Sequence, residues 1–205
     1  MKKQNNILSI LLIGILLFGA LYHIILKDQW YVWDNGLAWM YMESDTKYTL
    51  ENKPLEGTYS VELDLDDLES NIGKDVFKNG RSQRILIDSI EKIPESNDYL
   101  VTLYSWCKYS VFGGKLVTFF AHNPFGGVEP QMVETANVMV QYGGQEYPCS
   151  IYRCLQLMRH EGDLCTYWVT LPEAVNISEN NTAVLTISNL TENTWTRNWA
   201  YRETK

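Results

Sequence analysis

Residues 136–147 read ANVMVQYGGQEY. Val138, Val140 and Tyr142 alternate with Asn137, Met139 and Gln141, the period-two pattern of a strand with one buried face. Gly143-Gly144 then supplies two residues that accept positive φ, as a tight two-residue hairpin turn requires. The outgoing arm runs from Gln145 to Leu157. This pattern predicts a hairpin in which Tyr142 faces Gln145, Val140 faces Tyr147 and Val138 faces Cys149. Pro148 lacks an N–H, so its position should lie at an edge or a bulge.

The same punctuation recurs on either side. In Thr58–Leu68, Val61, Leu63 and Leu65 share one face, while Glu62, Asp64 and Asp66 share the other. Further strands are expected over Arg84–Ile93, Tyr99–Phe112, Cys165–Leu171 and Thr182–Leu190. Gly113-Gly114 should turn Tyr99–Phe112 into a hairpin with Lys115–Ala121. The tail from Thr191 should add a last strand with Trp195, Trp199 and Tyr201 on one side. Asn71–Gln83, Pro94–Asp98, His122–Gln131, His160–Asp163 and Glu173–Asn181 are turn- or loop-like in composition. After residue 45 no stretch sustains a 3.6-residue apolar stripe. Eight or nine strands without helical alternation imply an all-β, antiparallel β-sandwich of immunoglobulin-like architecture over residues 46–205.

Upstream the pattern changes completely. Residues 7–26 read ILSILLIGILLFGALYHIIL, with no charge and fourteen Ile, Leu or Phe among twenty positions. As one helix this stretch is about 30 Å long, the thickness of a bilayer's hydrocarbon core. Lys2 and Lys3 in the short segment 1–6 favour a cytoplasmic N-terminus and an extracytoplasmic C-terminal domain. No small-residue cleavage site follows cleanly and no Cys stands near the end of the run, so a retained signal anchor is expected rather than a cleaved or lipidated leader. Residues 27–45 form an aromatic juxtamembrane segment. Trp30, Tyr31 and Trp33 suit a headgroup interface, whereas Trp39 and Tyr41, beyond Asp34-Asn35-Gly36, are equally suited to the folded domain. His23 belongs to the interface.

The 17 basic residues less Lys2 and Lys3 leave 15 against 25 acidic ones, so the part after residue 6 carries about −10. Such a surface repels phosphate backbones and excludes nucleic acid as a partner. Cys107, Cys149, Cys154 and Cys165 permit free thiols or bridges in three connectivities. Strict alternation puts Cys149 and Cys154 on opposite faces. Their spacing fits a zinc site poorly. The acidic run VELDLDD lacks the glycine-centred loop of a calcium site. Asn176-Ile-Ser, Asn180-Asn-Thr and Asn189-Leu-Thr match the glycosylation pattern, in a region where turn chemistry alone collects the same residues.

No residue is thereby assigned as catalytic, cofactor-binding or metal-binding. The expectation is a single-pass protein, held in the lipid bilayer through residues 7–26, whose outward domain binds or assembles with an envelope protein or glycan. The alternative is an extracytoplasmic hydrolase or transferase built on loop His122–Gln131 and turn His160–Asp163, drawing on Cys107 or Cys165 beside His122 or His160. Convergence of these histidines with a Cys or Asp in a cleft would favour the enzyme.

Overall fold

The computed structural model describes residues 2–200 except 45, 95, 97, 124–130, 160–161 and 171–180. Within these residues the chain forms fifteen strands: β1 Tyr48–Pro54, β2 Thr58–Asp64, β3 Asp75–Asn79, β4 Gln83–Lys92, β5 Asp98–Cys107, β6 Tyr109–Ser110, β7 Gly113–Thr118, β8 Phe120–Asn123, β9 Gln131–Glu134, β10 Asn137–Tyr142, β11 Gln145–Pro148, β12 Ser150–Arg159, β13 Gly162–Thr170, β14 Thr182–Ser188 and β15 Thr191–Arg197. They pair antiparallel in four sheets, ordered β12-β13-β5-β4-β3, β11-β10-β14-β2, β1-β15-β7-β6 and β8-β9. The architecture is all-β and consistent with a β-sandwich.

The core follows from the alternation. Leu63, Val138, Val140, Ala183, Leu185 and Ile187 from the β2/β10/β14 sheet are buried in one cluster with Ile85, Ile87, Val101, Leu103, Tyr167 and Val169 from the five-stranded sheet. The hairpin that sets the fold has the expected register, with Tyr142 opposite Gln145 and Val140 opposite Tyr147. Beyond the strand end, the Cys149 amide donates to the Val138 carbonyl at 2.9 Å. Pro148 ends β11, an edge strand, where a missing donor costs no ladder bond.

Two expectations about the strands need correction, and one strand was not foreseen. The Gly113-Gly114 hairpin is only two pairs long, Tyr109 with Gly114 and Ser110 with Gly113. β7 instead pairs with β15 over six residues, while β5 lies between β4 and β13. The chain therefore changes sheets between Cys107 of β5 and Tyr109 of β6, and then turns within the new sheet at Gly113, whose φ of 137° and tight seat against the Trp195 carbonyl oxygen admit no side chain. Residues 71–83 are not merely a loop, because Asp75–Asn79 forms edge strand β3 against β4. β1, within the polar stretch Tyr48–Pro54, pairs with β15 throughout its length. Another change of sheet falls at Asn189, among the described residues the non-glycine with positive φ (56°), between β14 and β15. Asn tolerates this left-handed conformation better than most residues.

The N-terminal segment is helical from Lys2 to Met42. α1 spans Lys2–Leu21, a π-helical turn covers Tyr22–Leu26, and α2 spans Lys27–Met42 with a break at Gly36 (φ 60°, ψ −142°). The expectation of one regular spanning helix over 7–26 is therefore not met in that form. α1 stops five residues short, and among the described residues no helix is long and apolar enough to cross a membrane. What the segment does display is apolar surface: the large side chains from Ile10 to Phe18 are 56–70% exposed.

α2 is part of the globular packing. Val32, Leu37, Trp39, Met40 and Tyr41 form a second buried cluster with Tyr48, Cys107, Leu116 and Trp195 of the β1/β15/β7 sheet and its neighbours. Its opposite face carries Trp30 and Trp33, 68% and 75% exposed.

Candidate functional site

The histidine singled out by the sequence does meet a carboxylate. His122, on β8, places Nε2 2.8 Å from Asp163 Oδ2, and both side chains are fully buried. Thr118 Oγ1, from the end of β7, donates to the same oxygen at 2.8 Å. Neighbouring polar groups fix the backbone of β8. Asn193 Oδ1 accepts from the His122 amide and Asn193 Nδ2 donates to Phe120 O, both at 2.9 Å, while Asn52 Nδ2 donates to His122 O at 2.7 Å. The imidazole lies between Tyr41, with centroids 5.6 Å apart, and Trp195, at 5.9 Å. Asp163 gets this far in because Gly162 has no side chain. A Cβ there would overlap the Ser105 carbonyl oxygen.

The expectation that His160–Asp163 is a solvated turn is thus corrected for Asp163, whose carboxylate sits in the interior. His160 lies outside the described residues, as does most of loop His122–Gln131 (124–130). The cluster does not have the wiring of a nucleophilic site. Covalent catalysis places the base between nucleophile and orienting carboxylate. Here the carboxylate is in the middle, with hydroxyl and imidazole both bound to it, and none of the three reaches solvent. His122 Nδ1 is buried without a hydrogen-bond partner among the described residues. This arrangement ties β13 of the five-stranded sheet to β7 and β8, which suits a packing role.

Cys165 is bonded to Cys154, the residue directly opposite it in the β12–β13 ladder. An extra residue at Tyr152, between the pairs Ile151–Tyr167 and Arg153–Thr166, reverses the alternation. That bulge is why Cys154 packs on the same core as Cys149 and Ile151, contrary to the face expected of a regular strand. Cys149 is half-buried, and burial pushes its thiol pKa up to about 12. Cys107 is buried under α2.

The acidic run forms its own turn. Asp64 Oδ1 accepts from the amides of Asp66 and Asp67 at 2.9 Å, and these backbone hydrogen bonds, Asp67's first, lower the carboxyl pKa. Among the described residues no group of three or more His, Cys, Asp or Glu is gathered as a metal site would require. Asn189 of the third glycosylation pattern is exposed while Thr191 is buried and bonded to Thr135. Asn176 and Asn180 lie outside the described residues.

A second polar cluster, which the sequence reading missed, stands where α2 begins. Asp28 is buried and accepts from Lys47 Nζ at 3.2 Å and from Arg197 Nη2. Lys47 lies over the Trp39 ring at 5.1 Å, and Arg197 lies 6.0 Å from the Tyr48 ring and 5.0 Å from the Trp199 ring. Burial raises the Tyr48 hydroxyl to a pKa of about 12; Arg197 opposes that shift and Asp28 adds to it. The ends of β1 and β15 and the first turn of α2 therefore meet at one pole of the domain. Among the described residues, four large aromatic side chains stand around it without being covered: Trp30, Trp33, Phe112 and Trp199, the last two 56% and 59% exposed. The only sequence signal for this was Asp28 itself, an acid two residues beyond an apolar run.

Comparison with protein-family models, with curated proteins and with solved structures finds no match for this chain.

Proposed function

We propose that this chain is a single-pass membrane protein, anchored through residues 7–26, whose extracytoplasmic β-sandwich acts as a binding or assembly module for an envelope protein or glycan. The observation that carries the reading is the exposed apolar surface of α1, which leads by a helical path into the buried core of the domain. Fourteen Ile, Leu and Phe side chains in that segment favour transfer into a bilayer by about 4–8 kcal/mol. Although α1 ends at Leu21, the π turn keeps the chain helical to Leu26, so the backbone polar groups stay bonded internally as a hydrocarbon interior demands. The Cys154–Cys165 bridge supports placement of the domain on an oxidising side. Binding is preferred to catalysis because His122, Asp163 and Thr118 are sealed and wired around the carboxylate.

Topology is tested in membranes from cells expressing the full chain. The protein should resist alkaline carbonate extraction, and protease added from outside should reach the β domain. Release by carbonate, or protection of the domain until the membrane is opened, overturns the reading. Cross-linking in intact membranes should trap the domain on a neighbouring protein or glycan. Hydrolytic activity abolished by Thr118→Val would favour the enzyme instead.

A further inference from the structure

The four exposed aromatics at the Asp28 pole are gathered from three separate parts of the chain, and their height above the apolar segment can be read from the helix. At about 1.5 Å per residue, Asp28 stands about 3 Å beyond Leu26, Trp30 about 6 Å and Trp33 about 10 Å. The polar headgroup layer on each side of a bilayer is roughly 5–8 Å thick. The Asp28–Arg197 pair fixes the end of β15 at the level of Asp28. Arg197 in turn holds the two other aromatics. Its amide donates to the Phe112 carbonyl at 3.1 Å, its guanidinium lies over Trp199, and the Phe112 and Trp199 rings are 6.0 Å apart. The Asn198 amide donates to the Lys47 carbonyl at 2.7 Å, so this end of the chain is held on both sides.

Resting on the anchor reading above, we infer that the β domain lies against the bilayer surface, with Phe112 and Trp199 seated among the headgroups beside Trp30. Rings with an apolar body and a polar edge concentrate at that depth. Continuity with the exposed apolar helix selects a lipid surface as the occupant. The domain's net negative charge points to zwitterionic rather than anionic headgroups, with Lys47 and Arg197 already engaged by Asp28. The domain then touches the membrane at two places, the helix and the Phe112–Trp199 pair, which fixes its tilt.

The test uses the full chain reconstituted in phosphatidylcholine vesicles containing lipid brominated on the acyl carbons nearest the headgroup, a short-range quencher of tryptophan. Trp199→Phe should remove a share of the quenching seen in the unaltered chain, and Trp30→Phe a further share. Quenching lost with Trp30→Phe but untouched by Trp199→Phe would leave the anchor standing and overturn this inference. No quenching by either residue, together with release by carbonate, would instead remove the anchor reading on which it depends. Both residues are exposed, so neither variant disturbs the core. Near-ultraviolet circular dichroism of each variant should match the unaltered chain apart from the lost indole. Phe112→Ser should reproduce the loss at Trp199 by freeing its ring from the surface, and full quenching in that variant also counts against the inference.

Discussion

Replacing His122 with Ala is expected to be among the most damaging single changes in the β domain. The side chain is fully buried, and its Nε2 is one of two described hydrogen-bonding groups on Asp163 Oδ2, each at 2.8 Å. Removing the imidazole leaves the buried Asp163 side chain short of a hydrogen-bond partner, and with the space it opens the loss is about 3–5 kcal/mol. The imidazole also fills space between the rings of Tyr41 and Trp195, so the cavity adds to the loss rather than offsetting it. For a domain of this size each kcal/mol moves the melting temperature by about 2–4 °C, giving an expected drop of about 6–20 °C. Thr118→Val conserves shape and removes the other hydrogen bond, for about 1.5–3 kcal/mol. The assay is thermal and urea unfolding of the full chain in mild detergent, followed by circular dichroism, with the His122→Ala/Asp163→Ala double variant closing a cycle. A coupling of at least about 1 kcal/mol is expected, since the two side chains are in contact. A loss below about 1 kcal/mol for His122→Ala would refute the buried pair and return the imidazole to the list of groups available for chemistry.

At the other pole, Asp28→Ala should cost about 3 kcal/mol and Lys47→Ala only about 1, because Lys47 is the more exposed partner. Hydrogen exchange should then show faster opening of α2 in Asp28→Ala, and equal losses for the two variants would contradict the burial of Asp28. Gly162→Ala drives a methyl group into the Ser105 carbonyl and should destabilise by about 3 kcal/mol, read from urea midpoints; a neutral result would mean that β13 does not approach β5 as described. Burial raises the Cys149 thiol to about 12, so the folded state holds its proton more tightly than the unfolded state, where the pKa is about 8.5. The stability this confers is complete below about pH 8.5 and is lost as pH rises toward 12. Cys149→Ala should therefore lose less stability than the unaltered chain between pH 8 and pH 10.5, and parallel curves would count against the shift.

The sheets were legible where local chemistry decides them. Alternation with Gly143-Gly144 between two arms leaves one register, and Val138, Val140 and Tyr142 can only face the core together. Pairing between distant strands was not legible, because apolar runs such as Tyr99–Phe112 and Lys115–Ala121 carry nothing that specifies a partner. The two glycines between them close a hairpin only two pairs long, after the chain has already left the sheet of β5. β1 was hidden by its composition: Thr49, Glu51, Asn52 and Lys53 are ordinary loop residues, and the strand exists because β15 offers it a ladder. The polar network was equally opaque. Asp163 follows His, Glu and Gly, a solvated turn by every local rule, and its burial depends on a glycine that lets one strand close on another. Cys154 was assigned to the wrong face because a bulge at Tyr152 shifts the alternation by one, an irregularity that composition does not announce. Asp28 stood in plain view, yet its two cationic partners lie 19 and 169 positions away.

The helical path from α1 through the π turn into α2 has a mechanical consequence. A domain on a flexible tether samples many heights and headings, and a partner must wait for a favourable one. Here the backbone stays helical to the break at Gly36, and Asp28 clamps the first turn of α2 to the far end of the chain. The slack between shaft and load is therefore about one turn of helix. A rotation of α1 about its axis is therefore expected to turn the sheets with it, and a rotation of the sheets to turn α1. Such a coupling works like a crank, in which the orientation of the β domain and that of α1 form one variable.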